Sequence, residues 1–228
     1  MTLERINRRV IGCTRCPELR RYCAQIARER KLAFRDWNYW GKPVPSFGDP
    51  RAQLLLVGLA PGAHGSNRTG RAFTGDGSGG FLYPALYRAG FANQPHAFAR
   101  DDGLRLSNCV ITAAVRCAPP ANKPTPQQLR NCAPYLADEF AALKRLRVIV
   151  ALGAIAQRAT LELLRSASFE IEPPRPPFGH GAECIAKRAG RVVTVIASFH
   201  PSRQNTNTGK LTAPMFDRIF ERAKALLR

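Results

Sequence analysis

Four of the seven cysteines in this 228-residue chain are spaced so that they could bind a metal. Cys13 and Cys16 form a C-x-x-C pair, and Cys117 and Cys132 lie together in the second half of the chain. If the amino-terminal segment folds back against residues 117–132, four thiolates meet and can bind zinc or an iron–sulfur cluster. The alternative is that they are small buried hydrophobic side chains. We interpret the other three cysteines in this second way: Cys23, Cys109 and Cys184.

A glycine-rich loop is the second feature that could do chemistry. The stretch GLAPGAHGSNRTGRAFTGD, residues 58–76, follows the apolar run AQLLLVG. Glycine at this density indicates a backbone that must come close to another group, since only glycine permits that approach and those dihedral angles. The loop lacks the G-K-[ST] ending of a phosphate-binding loop. It therefore predicts a contact site for something other than a nucleoside triphosphate.

The elements that position this loop alternate between strands and helices. Four apolar runs predict buried strands, at residues 52–58, 107–115, 146–152 and 191–198. Helical patterns occupy residues 17–35 and the segments that begin at residues 79, 125 and 153. Such alternation predicts parallel strands covered by helices on both faces, which is an α/β/α sandwich. Ligands bind outside the carboxyl ends of parallel strands, where the loops after residues 58 and 198 both lie.

Composition limits the class of protein. The length suits a single domain over residues 1–228, and we interpret the proline-rich residues 172–181 as a rigid surface loop. Lys and Arg number 35 against 16 Asp and Glu, a formal charge of +19 that favours binding to nucleic acid. No apolar run is long enough to span a bilayer and no secretory signal is visible, so we expect no membrane partner and a cytoplasmic location.

The order of these motifs resembles the iron–sulfur branch of the uracil-DNA glycosylase superfamily. The resemblance covers nearly the whole chain: C-x-x-C, then G-x-A-P-G after the first strand, then CAPP with its partner cysteine, then HPS after the last strand. Within that branch, GLAPGAHGSNRTGRAFTGD and HPSRQNTNTGKLT look like family 5, also called type B. The long first motif is highly specific, whereas HPS alone is not.

The resemblance implies a cofactor, a sheet and an activity. The cofactor is a [4Fe–4S] cluster on Cys13, Cys16, Cys117 and Cys132, and the sheet has four parallel strands. The implied activity is hydrolytic removal of uracil and other damaged or deaminated bases, such as hypoxanthine and ethenocytosine, from DNA. The partner would be DNA that contains such bases, bound by a monomer at the nucleoid.

A glycosylase of this kind holds an extruded base in a pocket. Gly58, Gly62 and Gly65 would let backbone N–H groups approach the base and its deoxyribose. Phe73 stands at the family's position for an aromatic residue and would stack on the base, although it could also be a core phenylalanine. Asn122 is a candidate for reading the base edge, and a turn asparagine is the competing interpretation.

Two residues are candidates for catalysis. Related branches place a polar residue, acidic in several, after the first motif glycine, but here that position is Leu59. Asp76 closes the same loop, so we expect it to position the water and stabilise the sugar cation, or else to cap the next helix. His200 follows the last strand and would donate to the leaving base, or else brace the strand end. The remaining histidines are interpreted as structural: His64, His96 and His180.

The polar loop after His200 would contact the DNA backbone, unless it is simply a solvated loop. Its candidate residues are Arg203, Asn205, Asn207 and Lys210.

Two other classes of function compete with the enzyme. One is a non-catalytic iron–sulfur protein that binds DNA or senses oxidation, which would need neither Asp76 nor His200 in one pocket. The other is a metabolic enzyme acting on a free nucleoside, which would leave the positive charge unexplained. No lysine in the motifs indicates Schiff-base lyase chemistry.

Overall fold

The chain is built on one mixed sheet. The structure, a computed structural model, describes residues 1–173 and 177–228, and within them the sheet has seven strands. They are β1 (Phe47–Gly48), β2 (Leu54–Gly58), β3 (Cys109–Ala113), β4 (Val148–Leu152), β5 (Glu170–Ile171), β6 (Glu183–Arg188) and β7 (Arg191–Ser198). Their order is β1-β3-β2-β4-β7-β6-β5. The central four, β3, β2, β4 and β7, are parallel, as the sequence predicts.

The three outer strands each run antiparallel to a neighbouring strand. β1 pairs with β3, β6 pairs with β7, and β5 pairs with β6. None of the three was predicted, because two of them are only two residues long and β6 is short and partly exposed. The proline-rich loop predicted at 172–181 lies partly outside the described residues.

The helices of the described chain form two layers against the sheet. They are α1 (Leu3–Ile11), α2 (Pro17–Glu29), α3 (Ser66–Thr69), α4 (Gly77–Ala89), α5 (Pro126–Ala142), α6 (Ala154–Ser166), α7 (Arg203–Asn207) and α8 (Ala213–Leu226). α4 and α8 pack with each other in the core on one face of the sheet, while α1, α5 and α6 bury residues in the core on the other face. The fold is therefore an α/β/α sandwich.

The alternation along β2 shows why both faces are covered. Leu54 and Leu56 belong to one core and Leu55 and Val57 to the other, and all four are fully buried. A strand in which every residue is apolar needs an apolar layer on each side, which the two helix layers supply. Helix α5 begins as predicted, with a capping box that joins Thr125 and Gln128.

Candidate active site

The principal cavity lies at the carboxyl edge of the parallel strands. It has a volume of about 880 Å³ and is lined by the glycine-rich loop after β2, the segment after β3 and the loop after β7. The first and the last of these are the loops whose position the sequence predicts, and the convergence of all three follows from the shared direction of β2, β3 and β7. The arrangement brings Asp76, Phe73, Asn122 and His200 to the wall of one cavity.

The glycines of the loop make room for protein side chains. A Cβ atom on Gly58 would lie 2.9 Å from the ring of Phe73, and one on Gly62 would lie 3.1 Å from Asp76 Oδ2. A Cβ on Gly65 would overlap the same carboxylate outright. The structure thus shows a reason for these glycines that the sequence did not suggest, because they admit the stacking ring and the acid.

Asp76 is both a helix cap and a cavity residue. Its Oδ1 accepts a hydrogen bond from Gly79 N at 3.0 Å at the start of α4, so the capping role is present. Burial raises the pKa of the Asp76 carboxyl, while backbone N–H groups of α4, Arg203 and Arg68 pull it down. Oδ2 faces the glycines, and the residue lines the cavity. One side chain can therefore hold the helix through one oxygen and present the other to the cavity.

His200 is a neutral imidazole at physiological pH. Burial lowers its pKa to about 4, because desolvation disfavours the charged ring. The ring lies beside Phe73, with centroids 5.8 Å apart and planes tilted by 31°. Its backbone carbonyl accepts a hydrogen bond from Asn205 Nδ2 at 2.8 Å, which fixes the loop. A neutral histidine can donate one hydrogen bond to an acceptor in the cavity.

Phe73 is half-buried and has a strained backbone. Its φ of 51° lies in the left-handed region, which costs a non-glycine residue of the order of 1–3 kcal/mol. The surrounding loop holds this conformation, since Phe73 packs beside Gly58 and against the core. Phe73 lines the cavity, where a flat aromatic surface can stack on a base.

The remaining predicted residues lie at different distances from the cavity. Asn122 is exposed in a 3₁₀ turn and lines the cavity with a φ of 56°, as a turn asparagine can. Arg203 is exposed and also lines it, at the start of α7. The amide of Asn205 is already bonded to the His200 carbonyl. Asn207 and Lys210 are exposed and do not line the cavity, and Lys210 Nζ lies 5.0 Å from the ring centroid of Phe199.

The cysteines converge beside this site. Cys16, Cys117 and Cys132 are each 6% exposed and share one apolar cluster with Cys23, while Cys13 is partly exposed next to them. Within the described residues, no three His, Cys, Asp or Glu side chains are arranged to hold a metal ion. Thiolates are ligands of both structural zinc and iron–sulfur clusters, so the donor type fits either group.

The cysteines interpreted as hydrophobic are buried. Cys23 and Cys109 are fully buried and Cys184 is 9% exposed, so the structure confirms that all three are buried. Cys23 also contacts the predicted ligand set, since its thiol interacts with Cys117 and lies 3.6 Å from the carbonyl oxygen of Ala118.

A buried ion pair lies beside the cavity, and the sequence analysis did not predict it. Arg116 is 2% exposed and Glu139 is fully buried, with Arg116 Nη2 and Glu139 Oε2 2.5 Å apart. Thr112 donates to the same carboxylate oxygen at 2.7 Å. Arg116 lines the cavity and precedes Cys117. The pair joins β3 to α5 beneath the site, and neither motif nor spacing could have predicted that partnership.

His64, which the sequence analysis interprets as structural, also lines the cavity. Its ring lies in the cavity wall, and Nδ1 is 3.1 Å from the hydroxyl of Tyr39. By contrast, His180 accepts from Phe199 N through Nδ1 and contacts Met215 O through Nε2, as a structural histidine does.

Fold and site together define an α/β/α protein whose ligand cavity, at the strand ends, combines an aromatic surface, a buried acid and a neutral histidine. The chain belongs to the uracil DNA glycosylase superfamily, whose family model matches residues 45–224. It is 50% identical over 226 residues to the type-5 uracil-DNA glycosylase of Thermus thermophilus, covering 99% of both chains.

Two further comparisons agree. A type-5 uracil-DNA glycosylase from Mycobacterium bovis is 45% identical, over 97% of this chain and 80% of that protein. A type-4 uracil-DNA glycosylase from Pyrobaculum aerophilum is 29% identical, over 89% and 84% respectively. The chain thus matches type-5 proteins over nearly its full length.

Proposed function

We propose that this protein extrudes a uracil nucleotide from DNA into the cavity and hydrolyses its N-glycosidic bond, leaving an abasic site. By its family it is a uracil-DNA glycosylase, a hydrolase of N-glycosidic bonds. The observation that carries the mechanism is that Asp76 and His200 line the same cavity, beside the ring of Phe73. A protein that only binds DNA would need no such pair.

The two polar residues act on opposite sides of the bond that breaks. As the bond between C1′ and the base nitrogen lengthens, its electron pair moves to the base and positive charge develops on the sugar. The ionised Asp76 carboxylate stabilises that charge and orients a water, whose oxygen then bonds to C1′. The neutral His200 ring donates a hydrogen bond to a carbonyl oxygen of the departing base, which spreads the negative charge. The water's proton is released as the hydroxyl forms on C1′.

The size of the cavity supports a wider range of bases. A volume of about 880 Å³ exceeds the space that one pyrimidine ring needs, which supports a site with room for purine-sized and etheno-bridged bases. Stacking on Phe73 is tolerant of base identity because every base has a π face. We therefore include hypoxanthine and ethenocytosine as substrates, with Asn122 at the mouth to contact the base edge.

We propose that Cys13, Cys16, Cys117 and Cys132 hold a [4Fe–4S] cluster. The support is that Cys16, Cys117 and Cys132 share one apolar cluster and that Cys13 lies close enough to Cys132 to affect its pKa. Its contribution is structural, because it fastens the segment around Cys13 and Cys16 to the loop and helix that carry the other two ligands.

DNA is the proposed partner, and the charge supports it. A formal charge of +19 attracts phosphates, and Arg203 lies exposed at the edge of the cavity where the flanking backbone would pass. No helix of the described residues is long and apolar enough to cross a membrane. We propose that the protein works as a monomer on DNA at the nucleoid.

The deciding experiment uses end-labelled duplexes that carry uracil, hypoxanthine or ethenocytosine at one position. Incubation with the protein followed by alkali should cut the labelled strand at that position, and a duplex with thymine should stay intact. Free deoxyuridine, offered in parallel, should not be cleaved. Absence of alkali-labile product from all three duplexes would refute the enzymatic function, and cleavage of the free nucleoside alone would indicate a metabolic enzyme.

A further inference from the structure

The aromatic segment between α2 and β1, residues 31–40, has no part in the mechanism above. It nevertheless packs against the glycine-rich loop. Arg68, 3% exposed, lies between the rings of Phe34 and Trp37, with its guanidinium carbon 4.0 Å from each centroid. Its Nε donates to the backbone carbonyl of His64 at 2.8 Å. The segment therefore fixes the backbone of the one cavity histidine that has no assigned role.

The same segment also fixes the ring of His64. The Tyr39 hydroxyl lies 3.1 Å from His64 Nδ1, and the two rings meet edge to face with centroids 6.1 Å apart. The Tyr39 oxygen already accepts a hydrogen bond from the backbone N–H of Lys31 at 3.4 Å. The Tyr39 hydroxyl keeps its own proton to donate, and its contact with His64 Nδ1 fits either tautomer of the ring. In the tautomer in which Nδ1 accepts that proton, the ring proton lies on Nε2.

Nε2 is then a donor without a partner among residues 1–173 and 177–228. The ring stays neutral, since burial, Lys31 and Arg68 all lower the pKa of His64. A fixed neutral donor in the wall of a binding cavity suits an oxygen acceptor of the ligand.

We propose that His64 is a substrate-binding residue, held by Tyr39 and Arg68 so that its Nε2–H donates to an oxygen of the extruded nucleotide. Two oxygens have the required chemistry, a base carbonyl and a flanking phosphate. The inference rests on the proposed function, because it assumes that a nucleotide occupies the cavity.

The test compares His64→Leu, His64→Gln and Tyr39→Phe with the parent in single-turnover excision of uracil. Losing one neutral hydrogen bond should weaken DNA binding by about 2- to 10-fold, with a smaller loss in the maximal rate. His64→Gln retains an amide donor and should recover part of the loss. Tyr39→Phe should cause a smaller loss, since the ring proton is no longer fixed on Nε2. The matched controls are His96→Leu and Tyr87→Phe, which change exposed rings that do not line the cavity.

Two substrate series identify the acceptor. One replaces each phosphate next to the uracil by an uncharged methylphosphonate, and the other replaces each uracil carbonyl oxygen by sulfur. The change in the DNA that removes the acceptor should weaken binding to the parent protein. It should not weaken binding to His64→Leu, since that variant has already lost the contact. If both His64 variants bind and cleave as the parent does, or if every effect simply adds to that of His64→Leu, the inference is wrong. A parent that releases no uracil would instead refute the proposed function.

Discussion

Replacing Asp76 with Asn separates the two roles that this side chain combines. Asparagine is nearly isosteric and caps helices as well as aspartate does, so it can keep the hydrogen bond from Gly79 N that starts α4. What the substitution removes is the negative charge on the oxygen that faces Gly62 and Gly65. Any loss of activity in a folded Asn variant therefore reports on the charge.

The size of the effect follows from the surroundings of the carboxylate. A positioned acid–base or electrostatic group contributes about 10²- to 10⁴-fold to the rate. Arg68 and Arg203 already balance part of the charge of Asp76, so we expect a value near the lower end. A 10²-fold loss corresponds to about 2.7 kcal/mol of transition-state stabilisation.

At low pH, where the carboxyl is protonated, stability should change little. An exchange between two good N-cap residues costs a few tenths of a kcal/mol, which in a domain of this size moves the melting temperature by about 1 °C. The pH dependence has a defined sign, because burial raises the pKa of Asp76 above its ordinary value of 3.8. Ionisation then weakens the folded state, so the parent should lose stability relative to the Asn variant as pH rises through the raised pKa. Over the same range the parent's excision rate should rise.

The assay is single-turnover excision of uracil at saturating enzyme, with melting curves measured from pH 3 to pH 8. Thr212→Asn is the matched control, since it exchanges the N-cap of α8 away from the cavity. Cleavage within a few fold of the parent by a folded Asp76→Asn variant would refute the catalytic role and leave Asp76 as a structural cap. A variant that melts far below the parent would show that the cap argument is wrong.

Three further predictions concern the cluster, the DNA contact and the histidine. Protein purified without oxygen should be brown, and Cys117→Ala should lose both the visible absorption and thermal stability. A colourless protein with one zinc per chain would contradict the iron assignment. Arg203→Ala should weaken binding to uracil-containing and normal DNA alike, and should reduce the salt dependence of binding. The control is Arg145→Ala, an exposed residue at the amino ends of the parallel strands, which should have neither effect. Altered base preference at unchanged affinity would contradict a phosphate contact. The pKa of His200 is about 4, against an ordinary 6.5, so the stability gained from the neutral buried ring should be lost as pH falls from 6.5 to 4. The excision rate should show no titration of His200 between pH 6 and pH 8. An inflection of the rate in that range, absent from His200→Asn, would contradict a neutral donor.

Local patterns predicted the centre of the molecule well. The four parallel strands are runs in which nearly every residue is apolar, and these runs are too short to be buried helices. The helical segment predicted to begin at residue 125 starts α5 there, because capping is a local interaction between Thr125 and Gln128. Motif order then placed Asp76 and His200, and the structure brings both to one cavity.

Features that depend on distant contacts could not be predicted in this way. The helix predicted over residues 17–35 ends at Glu29, where Arg30 takes a φ of 52°. The aromatic residues beyond it then pack on Arg68, a partner more than thirty positions away. The reason for Gly65 likewise depends on Asp76, whose side chain returns to it only after the loop has folded.

That last dependence has a consequence for how loops of this type can vary among related proteins. A side chain at position 65 and a carboxylate from position 76 require the same space, so position 65 can gain a side chain only when Asp76 is replaced. A protein that carries its acid directly after the first motif glycine, where this chain has Leu59, is free to place a side chain at the equivalent of Gly65. The two arrangements should therefore exclude each other across the superfamily. An aligned set of sequences should show the two positions changing together, and a transplanted acid at position 59 should be tolerated more readily when Asp76 is removed.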